Sequence, residues 1–192
     1  MNLRVASGLG LVLIEDVTLA QAYYALAAFL LVAGWLVVTD APGLRSFRRS
    51  KAATTLLGLV AIAWFAWWLL NIPEADLAGL PRLPVVIGFI VASLAAFVYM
   101  PDFLSVRALA VIMLFLARHA LDAGYRQLPH SLLAASVSYG VLILFGFWWA
   151  CSPPVFCRQC DWVLATATRR WSVGAVCFLL AVACVAQSFR LP

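Results

Sequence analysis

Long uninterrupted apolar runs dominate the sequence, and each is about as long as a helix that crosses a bilayer. The run 18–38 would rise about 31 Å as an α-helix, close to the roughly 30 Å thickness of a hydrocarbon core. Hydrophobic residues make up 66% of the chain and charged residues 11%, whereas a soluble domain has far more charge. The sequence therefore predicts an all-α fold, a polytopic transmembrane helical bundle.

Six such runs make residues 1–192 a single predicted transmembrane domain. They are 18–38, 52–70, 83–100, 102–124, 132–151 and 172–189. Arg107 and Arg118 shorten the apolar centre of the fourth run to about half a bilayer at 1.5 Å per residue. An alternative prediction is therefore five spans plus a re-entrant helix. We favour six spans because irregular backbone exposed to lipid leaves costly unsatisfied polar groups.

The stretch 155–171 has apolar side chains at helical spacing and polar side chains largely off that stripe. The stripe consists of Phe156, Cys160, Val163, Leu164, Ala167 and Trp171. This pattern predicts an amphipathic interfacial helix on the membrane surface, directly before the last span.

The net charge of +5 reflects basic residues that lie mostly in loops. The loop 39–51 contains Arg45, Arg48, Arg49 and Lys51. Basic loops stay on the cytoplasmic side of a membrane, so we predict that this loop is cytoplasmic and the N-terminus is outside. The expected location is a bacterial-type inner membrane. The expected partners are the lipid bilayer and other membrane protein subunits, with no nucleic acid.

Charges within the fourth run mark the first candidate site. Eleven residues at 100° each bring Arg118 back to the face of Arg107, and Asp122 follows one turn later. His119 adjoins Arg118, and His130 follows a short loop. These five residues predict a polar site for an anion or a lipid headgroup, with His119 as a proton carrier. In the structural alternative, Arg107 and Arg118 reach opposite headgroup layers and Arg118 pairs locally with Asp122.

Cys157 and Cys160 form a C-x-x-C, the spacing that thiol–disulfide exchangers use for an attacking and a resolving thiol. The pair is therefore a redox candidate, with a quinone near His119 and His130 as the alternative cofactor. The structural alternative is that these cysteines are small apolar packing residues, kept reduced on the cytoplasmic side. Two histidines without a further ligand cluster do not predict a metal site.

The sequence contains no phosphate-binding glycine loop, no H-E-x-x-H and no G-x-S-x-G, the motifs that would indicate common catalytic sites. We therefore assign no catalytic residue, expect no cofactor and do not expect an enzyme. The favoured function is a structural or accessory subunit of a larger membrane protein complex. One alternative is a membrane thiol/quinone redox protein that uses Cys157 and Cys160. Another is a small transporter or lipid-binding protein with its polar site at Arg107, Arg118 and Asp122.

Overall fold

The computed structural model describes residues 17–71, 77, 80–99 and 103–191, and every regular element in these residues is helical. Five of the described helices are long and apolar enough to cross a membrane, as an integral membrane protein requires. They are α1 (Leu19–Val38), α3 (Lys51–Asn71), α5 (Leu104–Ala123), α6 (Leu132–Cys151) and α8 (Ala167–Ser188). Three other α-helices, α2 (Pro42–Ser46), α4 (Arg82–Tyr99) and α7 (Pro153–Leu164), and a 3-10 helix at Phe47–Arg49 complete the described fold.

Helix α4 has a shorter apolar stretch, Arg82–Ala95, than the five candidate spans. In contrast, α5 is continuous even though it contains Arg107 and Arg118. Both charges lie toward the ends of this unbroken helix, and the choice between six spans and five spans plus a re-entrant helix at 102–124 stays a prediction. The predicted helix ends at 100 and 102 lie outside the described residues, as does the segment 1–16.

The two ends of α1 are fixed by local hydrogen bonds. The Thr18 side chain accepts from the Gln21 N–H (3.2 Å), and the Gln21 side chain accepts from the Thr18 N–H (3.0 Å), a reciprocal capping box. At the other end, Asp40 has a φ of 49°, a left-handed conformation that ends many helices. The Ala41 N–H then donates to the Leu36 carbonyl (3.2 Å). The first span thus begins and ends where the predicted run 18–38 does.

The most extensive helix contact joins α1 to α8. Gly34 and Gly174 lie at the crossing, and both are buried. A Cβ at Gly34 would lie 3.0 Å from the Cys177 Cβ, and a Cβ at Gly174 would lie 2.2 Å from the Val38 Cγ2. The two backbones approach closely because neither glycine has a side chain, as is common between membrane helices.

A four-helix core of α1, α5, α6 and α8 surrounds the centre of the bundle. The largest fully buried apolar side chains of the fold are Tyr23, Leu26, Leu30, Met113, Leu142, Val106 and Cys184. Ala110, Ala117 and Ala120 of α5 are also almost fully buried, so neighbouring helices pack close to its backbone. The core is therefore filled with apolar side chains.

Residues 39–50, α7 and the first turn of α8 lie together, and we call this part the basic end. The Phe47 and Phe156 rings are 5.4 Å apart, and the Arg170 Nη1 lies 2.5 Å from the Asp40 Oδ2. The Ser105 hydroxyl donates to the Phe47 carbonyl (2.9 Å), which holds the start of α5 there. Residues 124–131, between α5 and α6, form the opposite end, which we call the turn end.

The amphipathic segment is shorter than predicted. Helix α7 ends at Leu164, and α8 begins at Ala167 instead of at 172. The cause is Thr166, whose side chain accepts from the Arg169 N–H (3.4 Å) and so caps the start of a new helix. Residues 167–171 therefore belong to the final span, and the apolar stripe that predicted one helix over 155–171 crosses a helix boundary.

Outside the core, α3 packs on α5, and α4 packs chiefly on α3. Leu69, Leu77 and Val86 form a small separate apolar cluster between the two outer helices. The fold therefore consists of a four-helix core and a peripheral pair, and α4 is the helix with the fewest neighbours.

Candidate functional site

The polar group with the most defined geometry is Arg118, near the end of α5 that lies at the turn end. Its guanidinium carbon lies 4.5 Å from the centroid of the Trp68 ring, within the range of a cation–π contact. Its Nε lies 3.4 Å from the Asp122 Oδ2. The Arg118 side chain is 45% exposed and the Asp122 side chain 71% exposed. The structure thus shows the local Arg118–Asp122 pair that the i, i+4 spacing predicts.

Aromatic residues of α3 form the wall behind this pair. The Trp64 ring lies 5.3 Å from the His119 ring and 5.7 Å from the Phe115 ring. The Trp68 ring lies 6.1 Å from the Phe115 ring. The contact of these tryptophans with α5 was not predicted from the sequence. The order of the spans could have indicated this contact. If α4 also crosses the bilayer, α3 and α5 run in the same direction, so their C-terminal ends lie at the same bilayer surface.

The two histidines make different contacts. The His119 Nδ1 lies 2.9 Å from the Phe115 carbonyl oxygen, within its own helix. At His130, the backbone carbonyl accepts a hydrogen bond from the Tyr23 hydroxyl of α1 (2.5 Å). Within the described residues, no hydrogen bond or ring contact joins the two imidazoles. A quinone near His119 and His130 stays a prediction.

Arg107 lies at the other end of α5, near the Phe103 carbonyl that accepts its backbone N–H (3.1 Å). About 16 Å of helix separates Arg107 from Arg118, so the two arginines do not converge on one ligand. Leu114 lies between them on the same face, and its Cγ and Cδ2 are 3.3 Å from the place where a Cβ on Gly146 of α6 would be. Leu114 thus packs against α6 between the two arginines.

The cysteines of the C-x-x-C lie on α7 at the basic end, and all five cysteines are free thiols. Burial, with smaller contributions from Cys157 and Asp161, raises the pKa of the Cys160 thiol to about 12. A thiol with so high a pKa is almost fully protonated at neutral pH, and the thiolate is the reactive form. The Cys160 thiol is therefore a poor nucleophile at neutral pH, and a redox role of Cys157 and Cys160 stays a prediction.

No protein-family model, curated protein or solved structure matches this chain. Its function has to be inferred from its own residues. Among the described residues, no group of three or more His, Cys, Asp or Glu side chains is arranged to hold a metal ion. The arrangement that remains is a half-exposed ion pair on an aromatic wall, which is suited to binding a polar group and contains no activated nucleophile.

Proposed function

We propose that this chain is a structural or accessory subunit of a larger membrane protein complex. The observation that carries the proposal is the outer surface of α4. This helix is held chiefly by α3, and its exposed surface includes the small residues Gly88 and Ala92, four residues apart. A Cβ at Gly88 would meet nothing within 4 Å.

Exposed small residues at intervals of four are typical of a surface that another transmembrane helix covers. Lipid tails are as apolar as leucine, so membrane helices associate through close packing at small residues and not through hydrophobicity alone. Ile87 and Val91 flank the stripe and are 51% and 60% exposed. The proposed occupant is therefore a transmembrane helix of another subunit, with its own small residues against Gly88.

The interior of the bundle supports this function over transport. Tyr23, Leu26, Leu30 and Met113 are fully buried and fill the centre of the core. Leu114 packs against Gly146 between the two arginines. A transport path would need polar or wet surface along this route, because charges in hydrocarbon are costly.

Crosslinking tests the α4 surface. A photoreactive amino acid in place of Ile87 should give one discrete crosslinked product in membranes. The mass of this product should be larger than that of the chain and different from that of its dimer. The same amino acid in place of Val182 on α8, which is 64% exposed, should crosslink lipid only. Gly88→Leu should remove the Ile87 product, because the added side chain separates the helices.

Two results would contradict the accessory function. A product of twice the mass of this chain would indicate self-association in place of a different subunit. Turnover or transport by the purified chain alone, after reconstitution in vesicles, would show that it has an activity of its own.

For topology we propose six spans in a bacterial-type inner membrane, with α4 as the short third span and the basic end in the cytoplasm. Residues 39–51, Arg158, Arg169 and Arg170 would then face the cytoplasm, as the positive-inside tendency favours. The N-terminus and the turn end would face outward.

Cysteine labelling tests this orientation. In a chain whose only cysteine is Cys151, an exposed residue at the end of α6 that adjoins α7, a membrane-impermeant thiol reagent should label inverted vesicles and leave intact cells unlabelled. A chain whose only cysteine is Cys160 should label at least about tenfold more slowly at pH 8, because its raised pKa leaves little thiolate. The labelling rate of Cys160 should increase as the pH is raised toward 12. Labelling of Cys151 in intact cells would show that the basic end faces outward, opposite to the proposed orientation.

A further inference from the structure

The Arg118–Asp122 pair lies near one end of α5, the level at which lipid headgroups meet a helix that crosses a bilayer. Both residues are within the last six positions of α5, which ends at Ala123. Trp68 is three residues from the end of α3 at Asn71, and indoles prefer this depth in a membrane. An arginine within two turns of a helix end extends its guanidinium toward the headgroups.

Part of the hydrogen-bonding capacity of this pair is unused. Arg118 uses its Nε toward Asp122 and one face of its guanidinium on Trp68. Within the described residues, its Nη1 and Nη2 atoms donate to no acceptor, and the Asp122 carboxylate has no partner other than the Arg118 Nε. Both side chains are substantially exposed. The pair therefore presents guanidinium donors and carboxylate acceptors side by side at the membrane surface.

We propose that Arg118 and Asp122 bind the headgroup of phosphatidylethanolamine, with the phosphate on the Arg118 Nη atoms and the primary ammonium on the Asp122 carboxylate. Guanidinium–phosphate contacts are among the strong charge-assisted hydrogen bonds of proteins. A primary ammonium has three N–H donors, and a carboxylate next to the phosphate site is the matching acceptor. The binding is non-covalent and leaves the lipid unchanged.

The geometry discriminates against the other common headgroups. Choline has a quaternary ammonium without N–H donors, and it is bound best by open aromatic faces. The face of Trp68 beside this pair is already covered by Arg118. An anionic headgroup such as phosphatidylglycerol would bring a net negative charge close to Asp122, which repels it. A zwitterion with a primary amine avoids both penalties.

The α3 wall would hold the arginine in the binding orientation. Trp68 contacts the Phe115 ring, and Trp64 contacts the His119 ring, so the tryptophans are fixed against α5. A guanidinium that is already stacked loses less side-chain freedom when a phosphate binds, because it is pre-organised.

Native mass spectrometry of the full chain tests the proposal. The chain is purified in detergent with an equimolar mixture of phosphatidylethanolamine and phosphatidylcholine of identical acyl chains. We expect ethanolamine lipid to be retained about tenfold more than choline lipid, the selectivity of roughly one charge-assisted hydrogen bond. Arg118→Gln should lower retention of both lipids, whereas Asp122→Asn should remove the preference and keep a basal level of both.

A matched control is Arg169→Gln. Arg169 lies 4.4 Å from the centroid of the Trp162 ring at the basic end, so it shares the stacking of Arg118 without a carboxylate one turn later in its helix. The lipid preference should survive this change. Far-ultraviolet circular dichroism should be the same for all variants, since the substituted side chains are at least partly exposed.

Each opposite result overturns the proposal. Equal retention of the two lipids by the unaltered chain would show that the ammonium is not recognised. An unchanged preference in Arg118→Gln, with circular dichroism intact, would leave the pair as a purely local ion pair. In a second equimolar mixture, of phosphatidylethanolamine and phosphatidylglycerol, stronger retention of phosphatidylglycerol would indicate a phosphate-only site. Displacement of the lipid by an equal concentration of free phosphoethanolamine would identify a soluble ligand in place of a lipid.

Discussion

Replacing Gly174 with alanine should lower the free energy of unfolding of the bundle by about 1–3 kcal/mol, the usual range for an overpacked core. The new Cβ would lie 2.2 Å from the Val38 Cγ2, so α1 and α8 would have to separate along their contact. The separation would also strain the Asp40–Arg170 ion pair at the end of this contact. Unfolding of the purified chain in mixed micelles with increasing sodium dodecyl sulfate measures the change.

Two companion variants isolate the cause. Val38→Ala removes the clashing methyl group, so the double variant Gly174→Ala with Val38→Ala should be more stable than Gly174→Ala alone. Gly88→Ala introduces the same methyl group into open space on α4 and should be neutral or stabilise the purified chain by up to about 1 kcal/mol, since alanine is the better helix former. Equal destabilisation by Gly174→Ala and Gly88→Ala would show that the close α1–α8 crossing is not what matters.

Tyr23→Phe should destabilise the bundle by about 2–4 kcal/mol, because two backbone groups lose their partner. The buried Tyr23 hydroxyl donates to the His130 carbonyl (2.5 Å) and accepts from the Ala134 N–H (3.3 Å). The Ala134 N–H belongs to the first turn of α6, where helical N–H groups have no partner within the helix. A side chain of α1 therefore caps α6 across the core, and unmet polar groups are especially costly in a membrane.

Tyr24→Phe is the matched control. Tyr24 is the next residue of the same helix and is 47% exposed, so loss of its hydroxyl should change the unfolding free energy by less than about 0.5 kcal/mol, as for most surface substitutions. The same detergent titration applies to both variants. If Tyr23→Phe is no more destabilising than Tyr24→Phe, the hydroxyl does not tie α1 to α6.

The positions of the helices could be predicted largely from length and apolarity. The predicted runs 18–38 and 132–151 agree with α1 and α6 to within a residue, because a span must satisfy its own backbone and cross a fixed thickness. The partners of each helix could not be predicted in this way. Gly34 and Gly174 show their role only as a pair, and nothing in either local sequence says which helix lies opposite.

Within α6, residues Ser138–Ile143 form a π-helical segment. Such a segment inserts an extra residue into the turn and rotates the helix face after it, so a fixed period of 3.6 does not predict which side chains of Leu144–Cys151 face inward. The boundary between α7 and α8 was missed for a related reason. A single capping threonine, Thr166, overrides the apolar stripe that crosses it.

At the candidate site, contacts between residues close in sequence could be predicted, and contacts between different helices could not. The Arg118–Asp122 pair follows from residues one turn apart on one helix. The stacking of Arg118 on Trp68 depends on how α3 packs against α5, which requires the tertiary arrangement. The same limit explains His119 and His130, which are close in sequence but contact α3 and α1 respectively.

The pairing of α1 with α8 also has a consequence for how the protein is made. About 130 residues separate the end of α1 from the start of α8, and a ribosome adds about 5–20 residues per second. After its own synthesis, α1 therefore waits in the bilayer for roughly ten seconds, with the Gly34 surface against lipid and Asp40 without Arg170. The order of translation thus makes closure of the four-helix core a late event, which begins only when α8 enters the membrane.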